Sequence, residues 1–205
     1  MKKKPLVKIL ISIIIIAFFS AAGYYLYTRG LRLPFSGGDS GAPRGALKDV
    51  EGENAVIAVL YFGSPDGSFI KSEERKLPKK EIRLKQMEAV LEELVKGPAD
   101  SAKTRVIAEG TELRSVFFED GIFYADFNET FVSGHIGGST GELLTITSIA
   151  NTLIENFPDI KGVEFLVEGK NIDTLKGHID LTSPVGFTRD IISTEEVQGD
   201  ENGGF

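Results

Sequence analysis

Leu113-Arg-Ser-Val-Phe-Phe-Glu-Asp-Gly-Ile-Phe-Tyr-Ala-Asp-Phe127 is the stretch that decides the fold. Asp120-Gly121 at its centre is a preferred dipeptide of the two-residue type I′ turn, whose central residues both need positive φ and whose twist matches the flanking strands. Counting outward gives two strands, Leu113 to Glu119 and Ile122 to Phe127. Val116 and Phe118 alternate with Phe117 and Glu119, while Phe123, Ala125 and Phe127 alternate with Ile122, Tyr124 and Asp126. Successive strand side chains point to opposite faces, so this aromatic density predicts one hairpin face covered by helices.

The periods on either side supply those helices. Leu84, Met87, Leu91 and Leu94, widened by Val90 and Val95, recur at helical spacing with Glu88, Glu92, Glu93 and Lys96 on the other side. Gly97-Pro98 ends that helix, because proline cannot continue the ladder and glycine tolerates a left-handed cap. A second helix is expected from Gly141 to Phe157, with Leu143, Ile146, Ala150, Leu153 and Phe157 as its stripe and Pro158 as its stop. Val56 to Phe62 is a short apolar run closed by Gly63-Ser-Pro-Asp-Gly67, a buried strand and a turn, with Phe69 to Leu77 as its partner. Val163 to Val167 is the last strand, and Glu168-Gly169-Lys170 turns out of it. The order β-(β)-α-β-β-α-β predicts an α+β fold, a mostly antiparallel sheet with two helices packed on one face.

Further out, the chain divides by composition. Residues 1–8 are a basic end, and 9–28 are twenty uncharged residues, enough to cross the roughly 30 Å hydrocarbon core of a bilayer as a helix. The cations predict a single-pass anchor in the inner (cytoplasmic) membrane, N-terminus in the cytoplasm and domain in the periplasm or otherwise outside the membrane. Ser20-Ala21-Ala22-Gly23 suits a cleaved signal peptide as well, although Tyr24, Tyr25, Leu26 and Tyr27 prolong the run as a retained anchor would. No Cys follows the run, which argues against a lipoprotein. Residues 29–54, rich in Gly, Pro, Ser and Asp, read as a flexible linker, 55–189 as the folded domain, and 190–205 as a disordered acidic tail.

The first 32 residues hold six cations and no carboxylate, leaving 17 Lys and Arg against 30 Asp and Glu in the remainder, a net charge of −13. Such a surface repels phosphate, so nucleic acid is not an expected partner. With no cysteine there is neither disulfide nor thiolate chemistry, and the fold rests on its hydrophobic core. Lys71, Arg75, Lys76, Lys79, Lys80, Arg83 and Lys85 form a cationic run, but Glu73, Glu74 and Glu81 interrupt it, as on a solvated face.

Few residues invite chemistry. The glycine-rich loop holding Gly134, His135, Gly137, Gly138, Ser139 and Thr140 enters a helix, where backbone amides can hold a small anion or ligand. It lacks the Gly-Lys-Ser/Thr ending of a phosphate loop, and Ser139 with Glu142 reads better as a capping box. His178 near Asp173 and Asp180, and His135 near Glu142, lack the spacing of metal ligands. Asp126 with Glu129 imitates an acid/base pair but suits a turn cap better. No Gly-x-Ser-x-Gly elbow is present. No catalytic residue, metal or cofactor is expected.

Several segments together resemble the GerMN domain family, found in the spore germination protein GerM and in other bacterial envelope proteins. They are Leu60-Tyr-Phe-Gly63, Leu91-Glu-Glu-Leu-Val-Lys-Gly-Pro98, Asp120-Gly-Ile-Phe-Tyr-Ala-Asp-Phe127, Ile149-Ala-Asn-Thr-Leu-Ile-Glu-Asn-Phe-Pro158, Val163-Glu-Phe-Leu-Val-Glu-Gly-Lys170 and Gly177-His-Ile-Asp-Leu-Thr-Ser-Pro184, with Gly110-Thr-Glu-Leu113 before the hairpin. The resemblance implies an α+β fold similar to the ring-building modules of secretion systems, and a non-catalytic interaction or scaffold role in the cell envelope. It implies envelope proteins, self-association or peptidoglycan as partners. One copy in place of GerM's two, and the missing lipoprotein cysteine, favour a general envelope function over sporulation. The competing readings are a binding module for a small anion or cell-wall glycan at the glycine loop, and an envelope hydrolase needing converging carboxylates.

Overall fold

The structure, a computed structural model, describes residues 46–193. The basic end, the apolar segment 9–28, the linker up to 45 and the tail from 194 lie outside the described residues, so the fold does not address what is expected of them. Among the described residues no helix is long and apolar enough to cross a membrane. The elements run β1 (Lys48–Asp49), β2 (Ala55–Gly63), β3 (Ile70–Pro78), α1 (Arg83–Lys96), β4 (Leu113–Glu119), β5 (Ile122–Phe127), α2 (Thr130–Ser133), α3 (Ser139–Asn156), β6 (Gly162–Val167) and β7 (Lys170–Asn171).

The hairpin forms as its sequence dictates. Asp120 and Gly121 both have positive φ, 53° and 88°, and Phe117 opposes Tyr124 while Phe118 opposes Phe123. The ladder slips once, between Leu113 and Ser115. Glu168 and Gly169 repeat the device, with φ of 51° and 74°, and fold the two-residue β7 back on β6.

The fold is α+β, but its strands form two sheets rather than the single sheet expected. One has the order β1-β2-β3, the other β4-β5-β6-β7. Four of the five strand pairs are antiparallel, and β5–β6 is parallel. The parallel pair follows from its connection, since a strand returning through a helix comes back in the same direction.

α1 packs against β2 and β4. α3 packs against β2, β6 and α1, so it lies in the interior rather than on a surface. From Leu144 to Asn156 every residue is buried, polar ones included. The polar side chains close an edge of the first sheet. Along the edge of β2 beyond its two-residue pairing with β1, the Val59 N–H donates to Asn156 Oδ1 (2.9 Å), and Asn156 Nδ2 returns a bond to the Val59 carbonyl (2.7 Å). The Tyr61 N–H donates to Thr152 Oγ1 at 3.0 Å, and the Ser148 hydroxyl donates to the Tyr61 carbonyl. Ser148, Thr152 and Asn156 recur every four residues, a rise of about 6.0 Å, and Val59 and Tyr61 lie two strand residues apart, about 6.6 Å. The matched pitches let a helix stripe substitute for a strand, and this is why β2 needs no second-sheet partner there.

Both ends of the unit differ from the expected boundaries. Lys48 and Asp49, assigned to the linker, pair with Ile57 and Val56 as β1, because the Val50 N–H and the Ala55 carbonyl close the intervening turn. Ile191 and Ser193, assigned to the tail, bond the backbone of Ile70 at 2.8 and 2.9 Å. Phe62, Phe123, Phe127, Phe131 and Phe157 are fully buried. Each such side chain contributes about 1.5–3 kcal/mol. Phe127 stacks on Phe131 with centroids 4.3 Å apart, bringing the end of β5 and α2 together.

Candidate functional site

The loop from Gly134 to Thr140 joins α2 to α3. Gly137 and Gly138 take positive φ (79° and 83°), a conformation that a side chain would strain. His135 turns inward and is buried. Its Nδ1 accepts the Gly137 N–H at 2.9 Å, and Nε2 lies 2.9 Å from Thr145 Oγ1. The Thr145 hydroxyl donates its hydrogen to the carbonyl of Val106 or Gly141, so Nε2 is the donor toward it and the ring is neutral. Burial pushes the His135 pKa below its ordinary value, against the opposing pull of Glu142. The Gly137 amide is therefore spent on a ring nitrogen and the Glu142 amide on the Gly138 carbonyl. Outward the loop presents Gly134, Gly138, Ser139 and Thr140, all exposed, and the side chain of Ile136, 94% exposed.

Ser139 and Glu142 do not form the expected capping box. Gly138 is the N-cap residue, and no side chain caps the helix. Glu142 is instead fully buried and reaches to the segment after β7. Its Oε1 accepts the N–H groups of Leu175 (2.9 Å) and Lys176 (2.8 Å), and its Oε2 accepts the N–H and Nδ1 of His178, both at 3.0 Å. Burial alone would raise this carboxyl's pKa, but the amides of Lys176 and His178 and the imidazole outweigh it and hold it below the ordinary value. One carboxylate thus latches the 174–179 loop to the first turn of α3. His178 belongs to this latch, and among the described residues no group of three potential ligands is placed to hold a metal.

Asp126 and Glu129 are not a pair. Asp126 is buried, receives Arg114 Nη1 at 3.0 Å and the Gly169 N–H at 2.8 Å, and so ties β4 and the β6–β7 turn to β5. Glu129 is exposed at the start of α2. Most of the cationic run is paired locally: Arg75 pairs with Glu73 and Glu93, Lys76 with Glu53, Lys79 with Asp49, Arg83 with Asp159 and Lys85 with Glu88. A cavity of about 400 Å³ lies between the β2–β3 turn and the chain at Ile192 and Ser193, lined also by Asp66, Phe69 and Lys71.

The remaining feature is the outer face of the second sheet. Cross-strand register places Phe117, Tyr124 and Glu164 in one row, and Glu119 with Ile122 in the next. The opposite face carries Phe123, Ala125 and Phe165, all buried in the core. Phe117 is 58% exposed, in the middle of a strand. Burial and then the charges of Glu164, Glu119 and Asp120 raise the Tyr124 phenol above its ordinary pKa.

With this geometry in place, comparison decides the family. The model of the Germane family, described as sporulation and spore germination, matches residues 59–173, more than half of the chain. The chain belongs to the Germane family. Among solved structures it is similar to the tandem GerMN domains of the sporulation protein GerM from Bacillus subtilis, with 19% identity and a TM-score of 0.51 over 64% of this chain and 46% of that one. It is also similar to the first GerMN domain of the same protein, with 20% identity and a TM-score of 0.45 over 68% of this chain and 98% of that one. At 19% identity the likeness to the tandem domains is one of fold. A search of curated proteins found no match. The Germane match ends at residue 173, just before the loop that Glu142 latches.

Sequence reasoning missed the Glu142 latch and the Ser148-Thr152-Asn156 stripe. The stripe had a signal, polar residues at four-residue spacing in a helix whose apolar positions already surround them, but the partners of Glu142 lie 33 to 36 residues away and leave none in local spacing.

Proposed function

We propose that this Germane-family chain is a membrane-tethered module of the bacterial cell envelope, holding its domain outside the cytoplasm and working by contact rather than catalysis. The observation that supports this reading is how the acid and base groups are used. His135, Glu142 and Asp126, three buried groups that a reaction could draw on, are each occupied by hydrogen bonds that hold the fold together. Large apolar side chains, meanwhile, project into solvent at Ile82, Phe117 and Ile136. The tether rests on the uncharged run 9–28 behind a lysine-rich end. Its partners would be envelope proteins, further copies of itself or peptidoglycan.

The test is photo-crosslinking in cells, with the full chain carrying a crosslinker at position 82, 117 or 136. The reading expects at least one position to yield a light-dependent adduct with an envelope component. Light-dependent adducts from none of the three would contradict it. Because the chain lacks cysteine, a single Ile82→Cys variant also reports sidedness. Labelling of intact cells by a membrane-impermeant maleimide, after outer-membrane permeabilisation where there is one, is expected, and labelling only after lysis would overturn the topology.

A further inference from the structure

We propose that the outer face of β4, β5 and β6 is the docking surface of this module, and that its occupant is a Lys- or Arg-bearing segment of another protein; this rests on the interaction reading above. The surface is apolar at its centre and acidic at its rim. Phe117 and Tyr124 oppose each other across β4 and β5, Ile122 lies one row toward the turn, and Glu119, Asp120 and Glu164 stand around them. Among the described residues no cation pairs with those three carboxylates. Arg114, the cation on β4, is already held by Asp126 and Glu168, and Lys161 lies along Gly121 at the turn.

An aromatic pair ringed by unpaired carboxylates favours a guanidinium or ammonium group. The ring faces attract a cation, and the rim supplies charge-assisted hydrogen bonds. Solvent-exposed aromatics on a rigid sheet are also the residues that carry binding energy at interfaces. Complementary charge here sets partner choice and encounter rate more than final affinity. A second copy is the poorer fit, because Arg75, Lys76, Lys79, Arg83 and Lys85, most of the chain's own cationic run, are already engaged with Glu73, Glu93, Glu53, Asp49, Asp159 and Glu88. The turn forces both strands into one register, so Glu119 and Glu164 sit at fixed spacing on strands, with Asp120 in the two-residue turn beside them.

The full chain in detergent micelles, titrated with an alternating Arg-Leu hexapeptide and followed by amide chemical shifts, tests this. Shifts are expected to concentrate on residues 115–126 and 162–166, with binding at least tenfold weaker at 500 mM than at 50 mM salt. Glu119→Lys with Glu164→Lys should weaken it at least tenfold, while Glu88→Lys on α1 leaves it unchanged. Equal binding of the matching Glu-Leu peptide, shifts centred elsewhere, or indifference to the double reversal would overturn the proposal. A dimer in sedimentation that the double reversal dissolves would overturn it too, in favour of self-docking. Crosslinks in cells from position 82 or 136 but none from 117 would remove this surface while leaving the interaction reading intact.

Discussion

On β2, the backbone of Val59 and Tyr61 is closed by Asn156, Thr152 and Ser148, whereas on β4 the side chain of Phe117 stands 58% exposed with no described element over it. Both strands belong to small sheets packed around α3 and α1, and both carry aromatic residues. The difference is where the polar groups went. In the first sheet they are drawn into the interior to satisfy a strand edge, at the cost of making a helix polar on a buried side. In the second they are left at the surface, around Tyr124 and Phe117, where they satisfy nothing in the chain itself. A buried polar group without a partner is expensive, so the first arrangement is readable as structure. An exposed aromatic on a rigid strand brings the fold no such return.

The largest expected effect breaks the first half of this contrast. Asn156→Leu removes the partner of both the N–H and the carbonyl of Val59, and should destabilise the protein by about 2–5 kcal/mol in urea unfolding. A loss below about 0.5 kcal/mol would mean that the helix stripe is incidental.

Glu142→Gln comes next, with an expected loss of about 1–3 kcal/mol at neutral pH, since bonds to a charged acceptor are exchanged for neutral ones. Its pH dependence has a definite sign. The folded-state pKa of Glu142 lies below its ordinary 4.5, so its contribution is complete above that value and is lost as pH falls through the folded pKa. The wild-type and variant stabilities should therefore converge in acid. A gap that is constant between neutral pH and the acid range would show that the latch does not depend on the carboxylate's charge. Thr152→Val, which removes one acceptor from Tyr61, is expected to cost about 1 kcal/mol in the same assay.

Much of the fold was legible. Asp120-Gly121 gave the hairpin, Gly97-Pro98 the end of α1, and the alternation of Val116 with Phe117 the two faces of β4. What was not legible came from contacts distant in sequence. Val59 meets Asn156 across 97 residues, and Glu142 meets His178 across 36. Local periodicity cannot foretell that a buried asparagine will replace a strand, so one sheet was expected where two exist. The capping-box reading failed for the same reason, because Glu142 found better donors in the 174–179 loop than in its own helix. At the candidate site the glycines were visible, but the inward turn of His135 and the outward turn of Ile136 were not, since either side chain could have faced the interior.

The smallest change in stability belongs to the second half of the contrast, and its measurement bears most directly on the central claim. Phe117→Ala in the full chain should shift the free energy of unfolding by no more than about 0.5 kcal/mol, because the ring is largely exposed. The quantity to read is partner adduct formed in cells by that variant, with the crosslinker placed at Ile122 beside it. The account predicts that adduct falls at least fivefold while unfolding is unchanged. Adduct at the wild-type level, or a fall matched by an equal rise in the unfolded fraction, would contradict it.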